Sequence, residues 1–87
     1  MNLRERNRLI ADFVHESPDN NYQDSWELLM SALFYISNET GYELVMRWDY
    51  CYWNMYGENP LGVELPGYCN GREAVFHAIV EFLIWYN

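Results

Sequence analysis

Three side chains near the C-terminus have the chemistry and spacing of metal ligands. Glu73, His77 and Glu81 follow one another at steps of four residues, which places them on one face of a helix. Imidazole and carboxylate groups can ligate zinc or iron. Three such residues extend over about 12 Å of a helix axis, however, so they cannot all reach one ion. We interpret them as a solvated stripe and predict no metal and no cofactor.

The groups that could act as nucleophiles lack activating neighbours. Cys51 lies in an apolar stretch, where a thiol is usually inert, and neither Cys51 nor Cys69 belongs to a catalytic motif. His15 stands at the predicted end of the first helix, where a cation interacts favourably with the helix dipole. The sequence contains no glycine-rich phosphate loop. We therefore predict that the protein is not an enzyme.

Net charge restricts the class of partner. The chain of 87 residues has 13 acidic residues and five arginines, for a net charge of −8. Its first eight residues have a net charge of +2, and residues 9–87 have a net charge of −10. Such a surface repels phosphate groups, so we expect no direct binding to nucleic acid or to an anionic membrane. It suits another protein with a basic surface; the alternative is that the charge only maintains solubility.

Hydropathy indicates the compartment. No apolar run approaches the ~20 residues that cross a bilayer, and the N-terminal segment lacks the apolar core of a signal peptide. We therefore expect a cytoplasmic protein. In that compartment Cys51 and Cys69 are free thiols, whereas an oxidising compartment would permit a disulfide.

Helical periodicity predicts a helix at each end of the chain and another between them. The first runs from about Leu3 to Glu16, with Asn2 and Glu5 as a capping pair and Ser17-Pro18 as its end. The second begins near Asp24, with Glu27 at capping distance, and stops at Gly41. The third occupies residues 70–87, with Asn70 and Glu73 as its capping pair. The residues predicted to face the core are Leu3, Ile10, Phe13 and Val14 in the first helix, Trp26, Leu29, Met30, Leu33 and Ile36 in the second, and Val75, Phe76, Ile79, Phe82, Leu83 and Tyr86 in the third.

Between the second and third helices the period falls to about two, which predicts strands. We expect two antiparallel strands that turn around Trp48–Tyr50 and a short third strand over Leu61–Leu65. The order is ααβββα. The predicted fold class is α+β: one small domain, residues 1–87, with the helices packed on one face of a three-stranded antiparallel sheet.

The aromatic strand supplies the predicted interaction surface. Tyrosine hydroxyls prefer water or a polar partner, so we expect the tyrosines of this strand to face away from the helices, among nearby carboxylates. The predicted partner-binding residues are Tyr50, Tyr52, Tyr56, Glu43, Asp49 and Glu58. The alternative is that the loop Glu58–Cys69 folds over this face and covers it.

Three segments resemble a known family. They are N-R-L-I-A-D-F at residues 7–13, Y-x-x-S-W-x-x-L-M at residues 22–30 and E-A-V-x-x-A-I-V-E-F-x-x-W-Y-N at residues 73–87. Together they resemble a family of small uncharacterised proteins of Bacteroidetes genomes and of their phages and prophages. These are packing motifs, and the resemblance carries no activity over to any residue. It implies that the protein acts in the bacterial cytosol and is encoded by a bacterium or by a phage. It also implies a role in the contest between phage and host.

The predicted function is that of a small acidic protein-interaction module. In the phage setting it is an inhibitor or modulator of a host protein, with carboxylates engaging a basic patch and aromatic side chains as anchors. A homodimer is compatible with the same surface. The alternative is a small-ligand-binding protein with an aromatic pocket between the sheet and the following loop.

Overall fold

The computed structural model describes residues 1–46, 51–54 and 71–87, and it describes side chains for all of these except residues 46 and 51–54. The elements along the chain are the helix α1 (Leu3–Val14), the 3₁₀ helix η1 (Tyr22–Asp24), the helix α2 (Trp26–Thr40), the strands β1 (Glu43–Met46) and β2 (Cys51–Asn54), and the helix α3 (Arg72–Tyr86).

Helix α1 begins as the sequence predicts. The Asn2 side chain accepts a hydrogen bond from the Glu5 amide at 2.8 Å, and the Glu5 carboxylate accepts one from the Asn2 amide at 3.3 Å. The helix ends at Val14, before the predicted Ser17-Pro18, because His15 adopts a left-handed conformation with φ 59°. Leu3 was predicted to be in the core, but it is 51% exposed.

Helix α2 is capped by a different residue from the one predicted. Ser25 Oγ accepts a hydrogen bond from the Leu28 amide at 3.2 Å, whereas Asp24 belongs to η1. Gly41 ends the helix in a left-handed conformation, as predicted. Trp26 is 44% exposed, so its predicted place in the core is wrong.

Helix α3 is the most buried element of the described chain. Its buried residues are Ala74, Val75, Phe76, Ala78, Ile79, Val80, Phe82 and Leu83. They occur on almost every side of the helix, which is what a helix surrounded by neighbours requires. The N-cap is Gly71, whose position offers no side-chain cap, and the predicted cap Asn70 lies outside the described residues. Tyr86 is 44% exposed, so its predicted place in the core is also wrong.

The predicted fold class is wrong. The described chain is mainly helical, and the buried residues of its core all come from α1, η1, α2 and α3. In place of a three-stranded sheet, the described strands are two strands of four residues, with Glu43 opposite Asn54 and Met46 opposite Cys51. Tyr42 and Leu44 are only partly buried at the edge of the core. The predicted third strand, Leu61–Leu65, lies outside the described residues.

The error has a physical cause. Alternation of apolar and polar residues predicts strands, but it does not predict which elements of the chain pack against those strands. Among the described side chains, the fully buried ones belong to the helices, while Tyr42 and Leu44 at β1 are only partly buried. In the part of the chain that the structure describes, the helices form the core and a short antiparallel strand pair lies beside it.

Candidate functional site

The predicted partner-binding residues fall mostly where the structure gives no description. Tyr50, Tyr56, Asp49 and Glu58 lie outside the described residues, as does the loop predicted to flank a ligand pocket. For Tyr52 only the backbone is described, in β2 opposite Val45. Glu43 is exposed at the start of β1. An interaction surface on the aromatic strand therefore stays a prediction.

The Glu–His–Glu stripe lies on α3, and its two later residues are adjacent. His77 Nε2 and Glu81 Oε1 are 3.8 Å apart, with a third to a half of each side chain exposed. An exposed pair of this kind contributes little to stability. Within residues 1–46 and 71–87, no three His, Cys, Asp or Glu side chains come together in a way that could hold a metal ion.

The structure assembles aromatic side chains at another place, around the last turn of α3. We call the residues Phe13, Tyr35, Tyr42, Phe82, Trp85 and Tyr86 the C-terminal aromatic cluster. They come from α1, from α2, from the residue before β1 and from α3. Each member is within 6.4 Å, between ring centroids, of at least one other member.

Ring geometry holds the cluster together. Tyr86 stacks on Phe82 with centroids 5.4 Å apart and an interplanar angle of 18°. Tyr42 meets Trp85 at 5.7 Å and 89°, and Phe13 meets Tyr86 at 6.1 Å and 85°. Stacked and edge-to-face pairs of this kind contribute about 0.5–1.5 kcal/mol each beyond the area that they bury.

The cluster is buried on one side and exposed on the other. Phe82 is fully buried, while Trp85 and Tyr86 are 46% and 44% exposed. Their neighbours therefore fix the orientation of two large rings at the surface. Aromatic rings that are held in place lose little conformational entropy on binding, which is why they serve as anchors in interfaces.

Three exposed glutamates flank members of the cluster in sequence. Glu39 lies one helical turn after Tyr35, Glu81 lies one turn before Trp85, and Glu43 follows Tyr42 directly. All three glutamates are exposed. Exposed negative charge therefore occurs close in sequence to the aromatic rings, as the sequence also predicts for the strand region.

The consecutive Trp85 and Tyr86 are the sequence feature that points to this surface. Trp85 and Tyr86 are consecutive on a helix, so their side chains point about 100° apart and cannot both belong to one narrow apolar stripe. Burial of Phe76, Ile79, Phe82 and Leu83 already fills the inner side of α3. Two further large rings at the end of the helix have to reach the surface.

A cavity lies between the starts of α1 and α3. This cavity of about 650 Å³ is lined by Leu3, Arg6, Gln23, Asp24, Gly71, Arg72, Glu73, Phe76 and His77. Its size falls within the roughly 300–1,000 Å³ of small-molecule sites. Its lining contains two arginines and two carboxylic acids, so its walls do not select a ligand of one charge. Arg72 also donates a hydrogen bond to the Asp24 carbonyl oxygen at 3.1 Å.

A buried polar network connects α1 to η1. Asn7 is 3% exposed, and its Oδ1 accepts a hydrogen bond from the Tyr22 amide at 2.9 Å. The Tyr22 hydroxyl donates to Glu16 Oε1 at 2.7 Å. Burial, assisted by the hydrogen bond to Glu16, raises the pKa of Tyr22 from 10.0 to about 12. The network therefore positions η1 against α1.

None of the helices in the described part of the chain has the length and apolarity that a membrane crossing requires. A scan against protein-family models found no match, and searches of the curated proteins and of the solved structures found no similar protein.

Proposed function

We propose that the chain is a protein-interaction module that binds a partner with a basic surface through the C-terminal aromatic cluster and its flanking carboxylates. The observation that supports the proposal most is the exposure of Trp85 and Tyr86, at 46% and 44%, beside the fully buried ring of Phe82. In the setting that the family resemblance implies, the partner is a host protein that the module inhibits or modulates.

Charge supports the same class of partner. The chain has a net charge of −8, and the exposed Glu39, Glu43 and Glu81 each lie within four residues of a member of the cluster. Complementary charge speeds association and rejects partners of the same sign. An arginine or lysine of the partner can also lie over the face of Trp85, which adds about 0.5–2 kcal/mol per contact.

Two tryptophans of nearly equal exposure provide a matched test. Trp85 lies in the C-terminal aromatic cluster and is 46% exposed, while Trp26 begins α2 and is 44% exposed. The immobilised protein and its Trp85→Ala and Trp26→Ala variants are used to capture proteins from a bacterial lysate. We expect Trp85→Ala to weaken capture of a specific basic protein at least about tenfold and Trp26→Ala to leave it unchanged.

Salt dependence provides the second criterion. Capture through carboxylates weakens as the salt concentration rises, because exposed charges more than ~8 Å apart are screened at physiological ionic strength. Equal capture by wild type and Trp85→Ala, or capture that salt does not affect, would contradict the proposal.

The alternative, a small-ligand-binding protein, is favoured by one observation, the cavity of about 650 Å³ beside Arg6 and Phe76. Among the described residues that line it, Phe76 is the one phenylalanine, tyrosine or tryptophan, and the cavity lies between α1 and α3, not between the sheet and the following loop as the sequence predicts. A Phe76→Ala variant would abolish ligand binding in this case, whereas Trp85→Ala would not.

A further inference from the structure

The cavity between the starts of α1 and α3 is lined by charged side chains of both signs that do not pair with one another. Apart from His77, its charged lining residues are Arg6, Asp24, Arg72 and Glu73. Ion pairs between described residues occur within α1 and within α3, and neither of them joins two of these four side chains. The four charges at the cavity are therefore available to a ligand.

Arg6 provides the cavity with a group that fits a carboxylate. Arg6 is partly buried near the start of α1, and its guanidinium group makes no hydrogen bond or ion pair with any described residue. Arg8, two residues later, is exposed and lies 3.9 Å from Asp12. The guanidinium group has five N–H donors in a planar fork that matches the two oxygens of a carboxylate. Arg6 therefore has unused donors at the cavity, whereas Arg8 has a partner in its own helix.

The start of α3 adds positive potential to the same cavity. Gly71 is the N-cap of α3 and lines the cavity, and it provides no side-chain hydrogen bond to the first amides of the helix. A Cβ at Gly71 would meet no atom within 4 Å, so the space beside this residue is open. The aligned peptide dipoles of a helix give its start a partial positive charge. A carboxylate in the cavity is therefore attracted by α3 as well as by Arg6.

Hydrogen-bond acceptors line the cavity on η1 and on the first turn of α3. Arg72 donates to the backbone carbonyl oxygen of Asp24 at 3.1 Å, which leaves the Asp24 carboxylate without a partner among the described residues. The Glu73 carboxylate is exposed and has no such partner either. Gln23 Oε1 is buried and accepts no hydrogen bond in the described part of the chain. An ammonium group has three N–H donors and can satisfy acceptors of this kind.

We infer that this cavity binds a small zwitterion, a free α-amino acid whose carboxylate meets Arg6 and whose ammonium group meets the acceptors of η1 and α3. A simple anion would leave the two carboxylates of the cavity without a partner, and a simple cation would leave the two arginines without one. A ligand that carries both charges provides a partner for each. Leu3 and Phe76 also line the cavity, whose volume of about 650 Å³ leaves room for an apolar side chain.

The inference gives a class of ligand to the cavity that favours the alternative function, and it does not depend on the C-terminal aromatic cluster. No residue of that cluster lines the cavity. Binding of an amino acid and capture of a basic protein are therefore tested by different variants. Arg6→Gln should leave protein capture unchanged, and Trp85→Ala should leave amino-acid binding unchanged.

The first test is an NMR titration of the isotope-labelled whole chain with L-leucine. We expect saturable shifts of the backbone amides of Gly71 and Glu73, with a Kd below about 10 mM. Two analogues then separate the charges, because isocaproate lacks the ammonium group of leucine and leucinamide lacks its carboxylate. Each analogue should bind at least about tenfold more weakly than leucine, since a charge-assisted hydrogen bond is lost in each case.

A pair of arginine variants provides the second test. Arg6→Gln should raise the Kd for leucine at least about tenfold and leave the weak binding of leucinamide unchanged, because leucinamide has no carboxylate for Arg6. A merely structural role of Arg6 would affect both compounds equally. Arg8→Gln is the matched control, since it removes the same charge from the same helix at a residue that pairs with Asp12. Its Kd for leucine should equal that of wild type.

Four results would overturn the inference. They are the absence of saturable shifts up to about 50 mM leucine, an analogue that binds as tightly as leucine, equal losses in Arg6→Gln and Arg8→Gln, and shifts at the Trp85 indole in place of the start of α3. The second result would mean that the cavity recognises a single charge. The fourth would place the ligand at the C-terminal aromatic cluster. The analogue series uses wild type alone, so it decides the question even if Arg6→Gln does not fold.

Discussion

At the scale of single residues, a buried asparagine and a buried tyrosine determine how the N-terminal third of the chain is arranged. Asn7 Nδ2 donates a hydrogen bond to the Leu3 carbonyl oxygen at 3.2 Å, while its Oδ1 accepts one from the Tyr22 amide at 2.9 Å. The side chain thus satisfies a buried backbone donor of η1 that would otherwise cost about 1–3 kcal/mol. This explains why a polar residue occupies a position on the inner side of α1.

Because of Tyr22, the fold should lose stability as the pH rises into the alkaline range. The pKa of Tyr22 is about 12 in the folded protein, and its ordinary value is 10.0. A folded pKa above the unfolded one means that this contribution to stability is complete below pH 10 and is lost as the pH rises from 10 to 12. We expect the urea midpoint of wild type to fall across this pH range. The urea midpoint of Tyr22→Phe should fall less, because the variant lacks the titrating hydroxyl.

The Tyr22→Phe variant also allows the titration of the Tyr22 hydroxyl to be separated from that of the other tyrosines. The difference between the ultraviolet phenolate titration curves of wild type and variant should have its midpoint near pH 12. At neutral pH the variant should be about 0.5–1.5 kcal/mol less stable, because the hydrogen bond to Glu16 is lost. A difference curve centred at pH 10 would show that Tyr22 is not buried as described.

Residue-level predictions from sequence succeeded where the interaction is local. Asn2 and Glu5 are three residues apart and make both of their capping hydrogen bonds within one turn. Asn7 could not be assigned in this way, because its partner Tyr22 is 15 residues away and belongs to another element. Leu3 and Trp26 match the apolar period of their helices but lie at the helix starts, where each helix extends beyond the core.

At the scale of elements, the ends of the helices are determined by a few backbone conformations. Gly41 ends α2 with φ 79°, a value that residues with a Cβ adopt only at a cost. Gly71 precedes α3 with φ −152°, which any residue adopts. A Cβ at either position would meet no atom within 4 Å, so backbone conformation alone distinguishes the two glycines.

This pair gives a matched prediction. Gly41→Ala should lower the free energy of unfolding by about 1 kcal/mol, because alanine is strained in the left-handed region. Gly71→Ala should change it by no more than about 0.5 kcal/mol, because the preference of an N-cap for glycine over alanine is offset by the lower entropy of alanine in the unfolded chain. Urea unfolding of both variants measures the difference. Equal effects of the two substitutions would mean that Gly41 does not need its left-handed conformation.

The three α-helices of the described residues could be predicted from sequence, but η1 and the layer on which the helices pack could not. Periodicity identified all three helices because each has apolar residues at steps of three and four. The alternation of residue types between residues 42 and 56 also predicts strands, but it does not show how much of the core the strands cover. Buried residues on several sides of α3, such as Ala74, Phe76 and Val80, are the better indication that helices surround it.

At the scale of the whole molecule, the end of α3 connects elements that are distant in sequence. Tyr86 contacts Phe13 of α1 and Tyr42 before β1, at centroid distances of 6.1 and 6.2 Å. Trp85 contacts the same Tyr42 at 5.7 Å. The rings proposed to bind a partner therefore also join α3 to the first half of the chain, so binding and stability share the same side chains.

Deletion of residues 85–87 should therefore destabilise the whole domain, although the segment is terminal. It removes two half-buried rings and uncovers Phe82, which is fully buried against Tyr86. Each ring buries on the order of 100 Å², so we expect a loss of about 2–4 kcal/mol in the free energy of unfolding. Deletion of residue 87 alone is the control and should change it by less than about 0.5 kcal/mol.

Comparison with a single substitution separates the two roles of this segment. Trp85→Ala leaves the stack of Tyr86 on Phe82 in place, so that variant should stay folded while it loses the partner. The deletion should lose both partner binding and stability, and its urea midpoint should fall well below that of Trp85→Ala. A deletion variant as stable as wild type would show that the rings of the last turn do not hold α3 to Phe13 and Tyr42. The C-terminal aromatic cluster would then lack the fixed orientation on which its proposed role as an anchor depends.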